Sequence, residues 1–167
     1  FDDRLYLGTS AGLFYLDSAT GRVVRHPQIK TACWDLEVHD EILLVSCDKV
    51  VYGLTENNPY EVFTVADFDA YVICPSKLEK GRYYLGLGDG IGALTIKSSA
   101  ANSGKRPRII NHGKLDKIHS RVRRLVEDTN GDLWATLYNG VMRVELETVN
   151  GVSKDIKPKV GRVTVFD

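Results

Sequence analysis

A nine-residue pattern that recurs along the chain constrains the fold more than any other feature of the sequence. Each copy is an apolar run, a small or polar turn and a return to apolar residues, and the copies are 5–13, 43–51, 83–91 and 133–141. The second position of each copy is aromatic or apolar and is filled by Tyr6, Leu44, Tyr84 and Trp134. These positions lie 38, 40 and 50 residues apart. A period of about 40 residues with strands in every copy is typical of a β-propeller blade or a similar array.

The last copy shows what one unit contains. Val122–Glu127, Leu133–Thr136 and Val141–Val144 are β-prone runs, and two Asn-Gly dipeptides, at 130–131 and 139–140, separate them. The first dipeptide is expected to supply positive φ at both central residues of a tight hairpin turn. The stretch therefore predicts an antiparallel meander, which is only marginally stable alone and needs neighbours against its faces.

The rest of the chain divides into units of the same kind. Strand-prone runs number three in the first unit and four in each later unit, and the units are 1–27, 28–66, 67–112 and 113–167. We therefore predict an all-β fold, a single β-propeller segment over the whole chain with about four blades. Each blade is a four-stranded antiparallel meander, and the first lacks one strand. Because open sheet edges invite aggregation, we expect the segment to belong to a larger propeller, with a closed four-bladed ring as the alternative.

The composition of the strand runs predicts how the blades pack. The repeated runs are nearly continuous apolar stretches that end on a small residue, LYLG, LLVS, YYLG and LWAT. A half-exposed strand would alternate polar and apolar residues, so both faces of each blade are expected to be covered. The recurrent aromatic residues at Tyr6, Tyr84 and Trp134 are accordingly expected to pack between blades rather than to stack against a ligand.

Two stretches carry a resemblance to a known family. Leu5–Asp17 reads LYLGTSAGLFYLD, and Gly131–Trp134 with Asn139–Val141 reads GDLW followed by NGV. They resemble the two-component regulator propeller repeat, whose usual pattern is V-x-x-L/I-x-E-D-x-x-G-x-L-W-V-G-T-x-x-G-L-x-x-Y/L-D. The chain departs from that pattern at 136–137, where Gly-Thr is usual, and at Leu87, where Thr is usual. The resemblance is strong in the first and last copies and weak in the second.

That resemblance implies a ligand-sensing or signal-relay segment of a bacterial two-component protein. Propellers of this family typically lie in the periplasm and precede a β-sandwich, a membrane helix and a histidine kinase or diguanylate cyclase output, and some recognise oligosaccharides. The implied partners are an oligosaccharide, other blades of the same propeller, a C-terminal β-sandwich of the parent chain and a second copy in a parent homodimer. Binding would favour one arrangement of that dimer. A passive protein-interaction scaffold and a carbohydrate-active propeller enzyme are the alternatives.

Charge and hydropathy argue against two classes of partner. The formal net charge is zero, which gives no electrostatic attraction for nucleic acid or an anionic membrane. No run approaches the roughly 18 apolar residues of a membrane helix, so we expect no direct membrane contact from this segment.

The spacing of polar residues predicts no catalysis, metal or cofactor. The histidines, at 26, 39, 112 and 119, are scattered over separate turns and strand ends, and none has nucleophile or paired-ligand spacing. Residues 128–132 are oxygen-rich like a calcium loop but lack its closing glutamate, so a turn is the better interpretation. We therefore predict that this segment is not an enzyme and has no catalytic residue, no metal ligand and no cofactor.

Cys33 and Cys47 are symmetric about Asp40. A hairpin that turns there would set them opposite each other on neighbouring strands. One outcome is a disulfide. The other is a pair of small buried thiols, which we prefer because disulfide geometry is strict and the odd count leaves Cys74 without a mate.

Binding residues are expected where loops meet. In propellers the blade connections and the turns between second and third strands gather at one mouth of the central channel, and loops carry function more often than strands do. On this chain the connections are 28–30, 66–70 and 113–120, and the turns include 48–49, 88–89 and 138–139. The candidate ligand-binding residues are the polar and aromatic members of these stretches: Lys49, Asp69, Asp89, His119, Tyr138 and Asn139.

Overall fold

The computed structural model consists of strands and turns, and it describes residues 1–56, 58–97, 106–147 and 155–166. Its 15 strands form four antiparallel sheets, which we call blades 1 to 4 in chain order. No helix in the described residues is long and apolar enough to cross a membrane.

Blades 1 and 2 lie in the first of two compact units, Phe1–Ala70. Blade 1 has three strands, β1 (Tyr6–Thr9), β2 (Gly12–Asp17) and β3 (Arg22–Arg25). Blade 2 has four, β4 (Cys33–His39), β5 (Ile42–Cys47), β6 (Val50–Thr55) and β7 (Asn58–Ala66). Consecutive strands are neighbours in both sheets, so each blade is an up-and-down meander.

Apart from Ala70, the first residue of β8, blades 3 and 4 lie in the second unit, Tyr71–Asp167. Blade 3 contains β8 (Ala70–Pro75), β9 (Arg82–Leu87), β10 (Gly90–Lys97) and β11 (Arg108–Lys114). Blade 4 contains β12 (Arg124–Glu127), β13 (Leu133–Thr136), β14 (Val141–Leu146) and β15 (Val160–Phe166). Both are again meanders, so the predicted count of three strands and then four, four and four is confirmed.

The turn between β12 and β13 differs from the prediction. The strand pairing leaves residues 128–132 as a loop, and only Gly131 within it has positive φ, at 88°. Asp128 shapes this loop, because its carboxylate accepts hydrogen bonds from the N–H groups of Asn130 (2.8 Å) and Asp132 (3.1 Å). The expected two-residue Asn-Gly hairpin is therefore wrong, and an Asx-type turn takes its place.

The central strands are buried on both faces. Every residue of β5 and β9 is buried, as is every residue of β10 except its last. The core of unit 1 contains Leu13, Ile29, Cys33, Leu43, Val45, Cys47 and Leu54. The core of unit 2 is larger and joins blades 3 and 4, with Tyr84, Ile91, Val122, Leu133 and Met142 among its members.

Blade 4 has one face that is not covered. This differs from the prediction that both faces of every blade are covered. Trp134 occupies the repeat position of Tyr84, but Tyr84 is 2% exposed whereas Trp134 is only half-buried. The Trp134 ring stacks on Phe166 of the same blade, with centroids 5.9 Å apart. Val126 and Val141 are exposed on this side too, and we call these four residues the open face. The apolar composition of a strand thus does not fix the burial of both its faces.

Two equivalent glycines let the blade connections lie directly on the turns. Gly12 and Gly90 follow the turns before β2 and β10, and their φ values are 126° and 136°. A Cβ on Gly12 would lie 2.5 Å from the carbonyl oxygen of Ile29, and one on Gly90 would lie 2.7 Å from that of Ile118. Within each unit, these turns and connections therefore share one end of the blades, which we call the connector end.

A buried carboxylate ties the first turn of blade 3 to blade 4. Glu127 is 2% exposed, and its carboxylate accepts hydrogen bonds from the Ser76 hydroxyl (2.9 Å) and from the N–H groups of Lys77 and Leu78 (3.3 Å for Leu78). The Ser76 oxygen in turn accepts a hydrogen bond from the Glu79 N–H at 3.0 Å. This Glu127 clamp lies at the end of the blades opposite the connector end, where the β8–β9 and β12–β13 turns are.

His26 is a buried polar residue of unit 1. Its Nε2 lies 3.0 Å from the Pro59 carbonyl oxygen, and its Nδ1 accepts hydrogen bonds from the N–H groups of Gln28 and Ile29, both at 3.3 Å. This arrangement fits a neutral imidazole with its proton on Nε2. Burial lowers the pKa of His26 below its usual value, and the hydrogen bond to Pro59 partly opposes that effect.

Candidate functional site

The connection between blades 3 and 4 forms one wall of a cleft in unit 2. Val122 anchors this connection, since its side chain is fully buried and its N–H donates to the Leu87 carbonyl at 2.9 Å. Gly86 permits the close approach, because a Cβ there would lie 2.8 Å from Cγ1 of Val122. Ser120 and Arg121, which come immediately before the anchor, are exposed.

The turn between β13 and β14 forms the other wall. The Leu137 N–H donates to the Gly140 carbonyl at 2.9 Å, which closes the turn, and Gly140 has a φ of 149°. Tyr138 and Asn139 form the tip, and the Tyr138 side chain is 90% exposed. The resulting connector cleft has a volume of about 320 Å³ and is lined by Ser120, Arg121, Leu137, Tyr138 and Asn139.

The connector cleft combines an aromatic ring, an apolar side chain and several hydrogen-bonding groups. The Arg121 guanidinium carbon lies 5.6 Å from the centroid of the Tyr71 ring, a cation–π contact that limits where the charge can move. None of the ion pairs between described residues involves Arg121, so its charge can meet a ligand. Few polar groups around an apolar surface are typical of small-molecule sites, and the volume lies near the lower end of their range of roughly 300 to 1,000 Å³.

Four of the six candidate residues lie in unit 2. Tyr138 and Asn139 line the connector cleft together. His119 is exposed in the connection, one residue before the cleft lining begins. Asp89 is exposed in the β9–β10 turn, and its carboxylate forms an ion pair with Lys114 at the end of β11. Asp89 is therefore not among the residues that line the cleft.

The other two candidates lie in unit 1. Lys49 is exposed in the β5–β6 turn with a φ of 65°, and Asp69 is exposed in the connection that follows β7. Beside Lys49, the Asp48 carboxylate accepts a hydrogen bond from the indole N–H of Trp34 at 2.9 Å. Sequence reasoning missed Trp34, which is exposed because it is the extra residue of a β-bulge at the start of β4.

Arg121 and Leu137 are the lining residues that the sequence did not single out, while Ser120 lay within the predicted connection. The connection was expected to end at Ser120, because a β-prone run begins at Val122. In the structure β12 begins only at Arg124. The usable signal was an arginine directly beside a predicted loop.

The oxygen-rich loop 128–132 is a turn, and its carboxylates bind protein donors. The Trp134 indole N–H donates to Asp128 at 3.0 Å, and this hydrogen bond lowers the pKa of the Asp128 carboxyl below its usual value. The Arg143 guanidinium donates twice to Asp132, at 3.0 and 2.6 Å. Across the described ranges, no group of three or more His, Cys, Asp or Glu side chains could hold a metal ion.

Comparison with known proteins shows the fold. No protein-family model matches this sequence, and no curated protein sequence matches it. Among solved structures, the chain is similar to regucalcin, a calcium-binding protein from Agrobacterium tumefaciens, with a TM-score of 0.53 and 16% identity over 87% of this chain. The chain spans about half the length of that protein, 54%. With the four meanders, this likeness confirms the predicted fold class: the chain is an all-β propeller segment of four blades, the first of which lacks one strand.

Proposed function

We propose that this chain is the ligand-sensing or signal-relay propeller segment of a bacterial two-component signal-transduction protein, located in the periplasm. The resemblance of residues 5–17 and 131–141 to the two-component regulator propeller repeat supports this proposal. The observation that carries the ligand-sensing role is the connector cleft, with Tyr138 90% exposed at its rim. An aromatic ring left in solvent on a well-formed turn contributes little to packing, and ligand-binding residues are often found on such loops.

The chemistry of the connector cleft fits an oligosaccharide. The exposed ring of Tyr138 offers a flat apolar surface for the C–H face of a sugar. The Ser120 hydroxyl, the Asn139 carboxamide and the Arg121 guanidinium can donate hydrogen bonds to sugar oxygens, and the first two can also accept them. We place no reaction and no cofactor in this segment. Histidine kinase or diguanylate cyclase activity would belong to another part of the parent protein.

The neighbour's calcium is not carried over to this chain. Regucalcin is described as a calcium-binding protein, but its likeness to this chain is one of fold. The carboxylates of Asp128 and Asp132, which most resemble a calcium loop in sequence, accept hydrogen bonds from Trp134 and Arg143. The connector cleft has no carboxylate in its lining, so it favours an uncharged or anionic ligand over a cation.

The open face of blade 4 supports a larger propeller as the parent structure. Phe166 is 47% exposed and Val126 is 48% exposed, beside Trp134. In blade 3 the equivalent aromatic, Tyr84, is buried in the core of unit 2, where blades 3 and 4 pack together. A further blade against the open face would bury Trp134 in the same way. The parent chain would also supply the C-terminal β-sandwich and the homodimer contact.

A ligand in the connector cleft would contact two elements at once. It would join the connection between blades 3 and 4 to the β13–β14 turn of blade 4. Signal relay then requires that the liganded cleft favour one arrangement of the parent dimer over another, because a ligand shifts an equilibrium only by its difference in affinity for the two states.

A thermal-shift screen of the chain against a panel of neutral and acidic oligosaccharides tests the sensing role. A ligand that binds only the folded state raises the melting temperature. At a hundredfold excess of ligand over Kd, binding adds about 2.7 kcal/mol to the free energy of unfolding. For a glycan that gives a saturable shift, we expect Tyr138→Ala to weaken binding by about two- to tenfold, since an aromatic contact contributes about 0.5 to 1.5 kcal/mol. Arg121→Gln should weaken binding as well.

Matched variants separate the cleft from the general surface. Arg123→Gln removes an exposed arginine two residues from Arg121, outside the cleft lining, and should leave binding unchanged. Leu78→Ala removes an exposed apolar side chain at the opposite end of the blades and should also be neutral. No shift with any glycan, from a chain that unfolds cooperatively, would refute the sensing role and leave relay or scaffolding.

The passive scaffold is the second candidate, and the open face is the observation that favours it. An apolar surface of this kind drives protein contact without any small-molecule ligand. Sedimentation velocity over a range of concentrations examines this surface: association that Phe166→Lys weakens supports a contact role. A monomer at every concentration would argue against both the scaffold and a missing blade.

A further inference from the structure

The first hairpin of blade 2 brings two thiols together. Cys33 of β4 is paired with Cys47 of β5 in the strand register, and their sulfur atoms lie 2.7 Å apart as free thiols. Both are buried, 4% and 0% exposed. The symmetry of the two cysteines about Asp40, noted in the sequence, therefore corresponds to a direct cross-strand pair.

The hydrogen bonds beside this pair show which kind of ladder position it occupies. The Asp48 N–H donates to the Ala32 carbonyl at 3.0 Å, and these two residues are the next ones outward from the Cys33–Cys47 pair. Because hydrogen-bonded pairs alternate along an antiparallel ladder, the main chains of the two cysteines form no hydrogen bonds with each other. Such non-hydrogen-bonded positions bring opposed Cα atoms to about 4.5 Å, closer than hydrogen-bonded ones. That spacing falls within the Cα separation of about 4.4 to 6.8 Å that a disulfide spans.

We propose that Cys33 and Cys47 are a cross-link site that closes to an intramolecular disulfide when the protein meets a small-molecule disulfide such as oxidised glutathione. The Cys33 thiolate attacks one sulfur of the oxidant and releases one glutathione thiolate. Cys47 then gives its proton to that thiolate and attacks the Cys33 sulfur, which releases the second glutathione as a thiolate. This thiolate takes up from solvent the proton that Cys33 had lost to it. Two thiols are oxidised to one disulfide, and one disulfide is reduced to two thiols.

The roles of the two sulfurs follow from their contacts. The Cys47 thiol can donate a hydrogen bond to the Cys33 sulfur, and this contact lowers the pKa of Cys33 while raising the pKa of Cys47. Cys33 is also the less buried of the two, 4% against 0% exposed, so it is the thiol that an oxidant reaches first. β4 is also an edge strand of blade 2, so local opening of that edge exposes Cys33 to the oxidant without unfolding the blade.

The cross-link would fix the connector end of blade 2. The disulfide closes a loop of 15 residues, from Cys33 to Cys47, around the β4–β5 hairpin. Trp34 and the Asp48–Lys49 turn follow the two cysteines directly, so the bond would hold this polar and aromatic surface in one geometry. The redox state of the hairpin would then control how rigid that surface is.

Intact mass spectrometry and melting curves of the chain in reduced and oxidised glutathione test the proposal. We expect a loss of two hydrogen atoms on oxidation, a linked peptide pair that contains Cys33 and Cys47, and a melting temperature higher by about 6 °C or more in the oxidised form. Cys74→Ala should show the same mass loss and the same rise, because Cys74 is not part of the pair. Cys33→Ala/Cys47→Ala should show neither.

Subdenaturing urea keeps a negative result meaningful. If burial alone protects the thiols, mild urea should speed the reaction by opening β4 and should yield the same linked peptides. The proposal is overturned by a stable mixed disulfide with glutathione at either cysteine, by linkage of either one to Cys74, or by an oxidised form that melts no higher than the reduced form. Failure to oxidise even in subdenaturing urea would overturn it as well.

Discussion

Removing the carboxylate of the Glu127 clamp should destabilise unit 2 far more than removing a half-exposed carboxylate from the same blade. The Glu127 side chain is 2% exposed and accepts hydrogen bonds from Ser76, Lys77 and Leu78. In Glu127→Ala the two N–H groups lose a charged acceptor, while the Ser76 hydroxyl can turn to another partner. The change therefore acts on the β8–β9 turn as well as on β12.

The size of the effect follows from these contacts. A hydrogen bond to a charged group contributes about 1.5 to 3 kcal/mol, so two would give at least about 3 kcal/mol. Two effects reduce this figure. Lys77 and Leu78 are exposed, so water can bind their N–H groups, and the variant also avoids the unfavourable desolvation of a buried carboxylate. We expect Glu127→Ala to lower the free energy of unfolding by about 2 to 3 kcal/mol, and Glu127→Gln, which keeps one acceptor oxygen, by about half as much.

Urea titration followed by tryptophan fluorescence measures this difference. The urea concentration at the midpoint should fall while the m-value stays constant, because the surface area exposed on unfolding does not change. The matched control is Glu145→Ala on β14, whose carboxylate is partly exposed and lies 3.8 Å from Arg143, and it should cost less than about 1 kcal/mol. Equal midpoint shifts for Glu127→Ala and Glu145→Ala would show that the clamp does not stabilise unit 2. The same would follow if Ser76→Ala added its full effect to that of Glu127→Ala, since the effects of two residues in direct contact should not be additive.

Two further changes probe other elements of the fold. Burial lowers the pKa of His26, so the unfolded chain binds a proton at higher pH than the folded one; stability should fall as pH drops through the ordinary histidine pKa of about 6.5 toward the lower folded value. His26→Gln should reduce that fall, measured as unfolding free energy against pH, while His112, whose pKa burial also lowers, should keep the rest of it. A slope equal to that of the unchanged chain would exclude His26 as a source. Gly90→Ala should lower the unfolding free energy by about 2 kcal/mol or more, because φ is 136° and the new Cβ would meet the Ile118 carbonyl oxygen at 2.7 Å. Gly161→Ala, where the nearest contact is 3.4 Å and φ is not positive, is its control, and similar unfolding midpoints for the two would contradict the steric account.

The fold was largely predictable because local signals and a repeat point to the same strands. LYLG, YYLG and LWAT are each β-prone, and their recurrence at similar intervals makes an accidental match improbable. The turn at 128–132 was not predictable from its Asn-Gly dipeptide, because Asp128 offers its own acceptors to the loop. The open face was not predictable either, because the burial of Trp134 depends on what lies beside blade 4 and not on the composition of β13.

The candidate site was predictable only in outline. Blade topology alone brings turns and connections to the connector end, and so Tyr138 and Asn139 could be chosen before any geometry was known. Arg121 could not be chosen in this way. It lines the cleft because Val122 packs against Gly86 within the connection, whereas the sequence predicted that a strand starts at residue 122. Asp89 was equally plausible in sequence, yet the ion pair with Lys114 engages it away from the cleft lining.

The sorting of turns to opposite ends of the blades separates two ways in which such a chain can change. The third interval of the repeat, 50 residues instead of 38 or 40, includes the long connection between β10 and β11, and this connection joins strand ends far from the connector cleft. Residues gained or lost there alter neither the register of β13 and β14 nor the span from Val122 to Tyr138. Length can thus vary at one end of the blades and residue identity at the other, and a change in the lining of the connector cleft needs no new core.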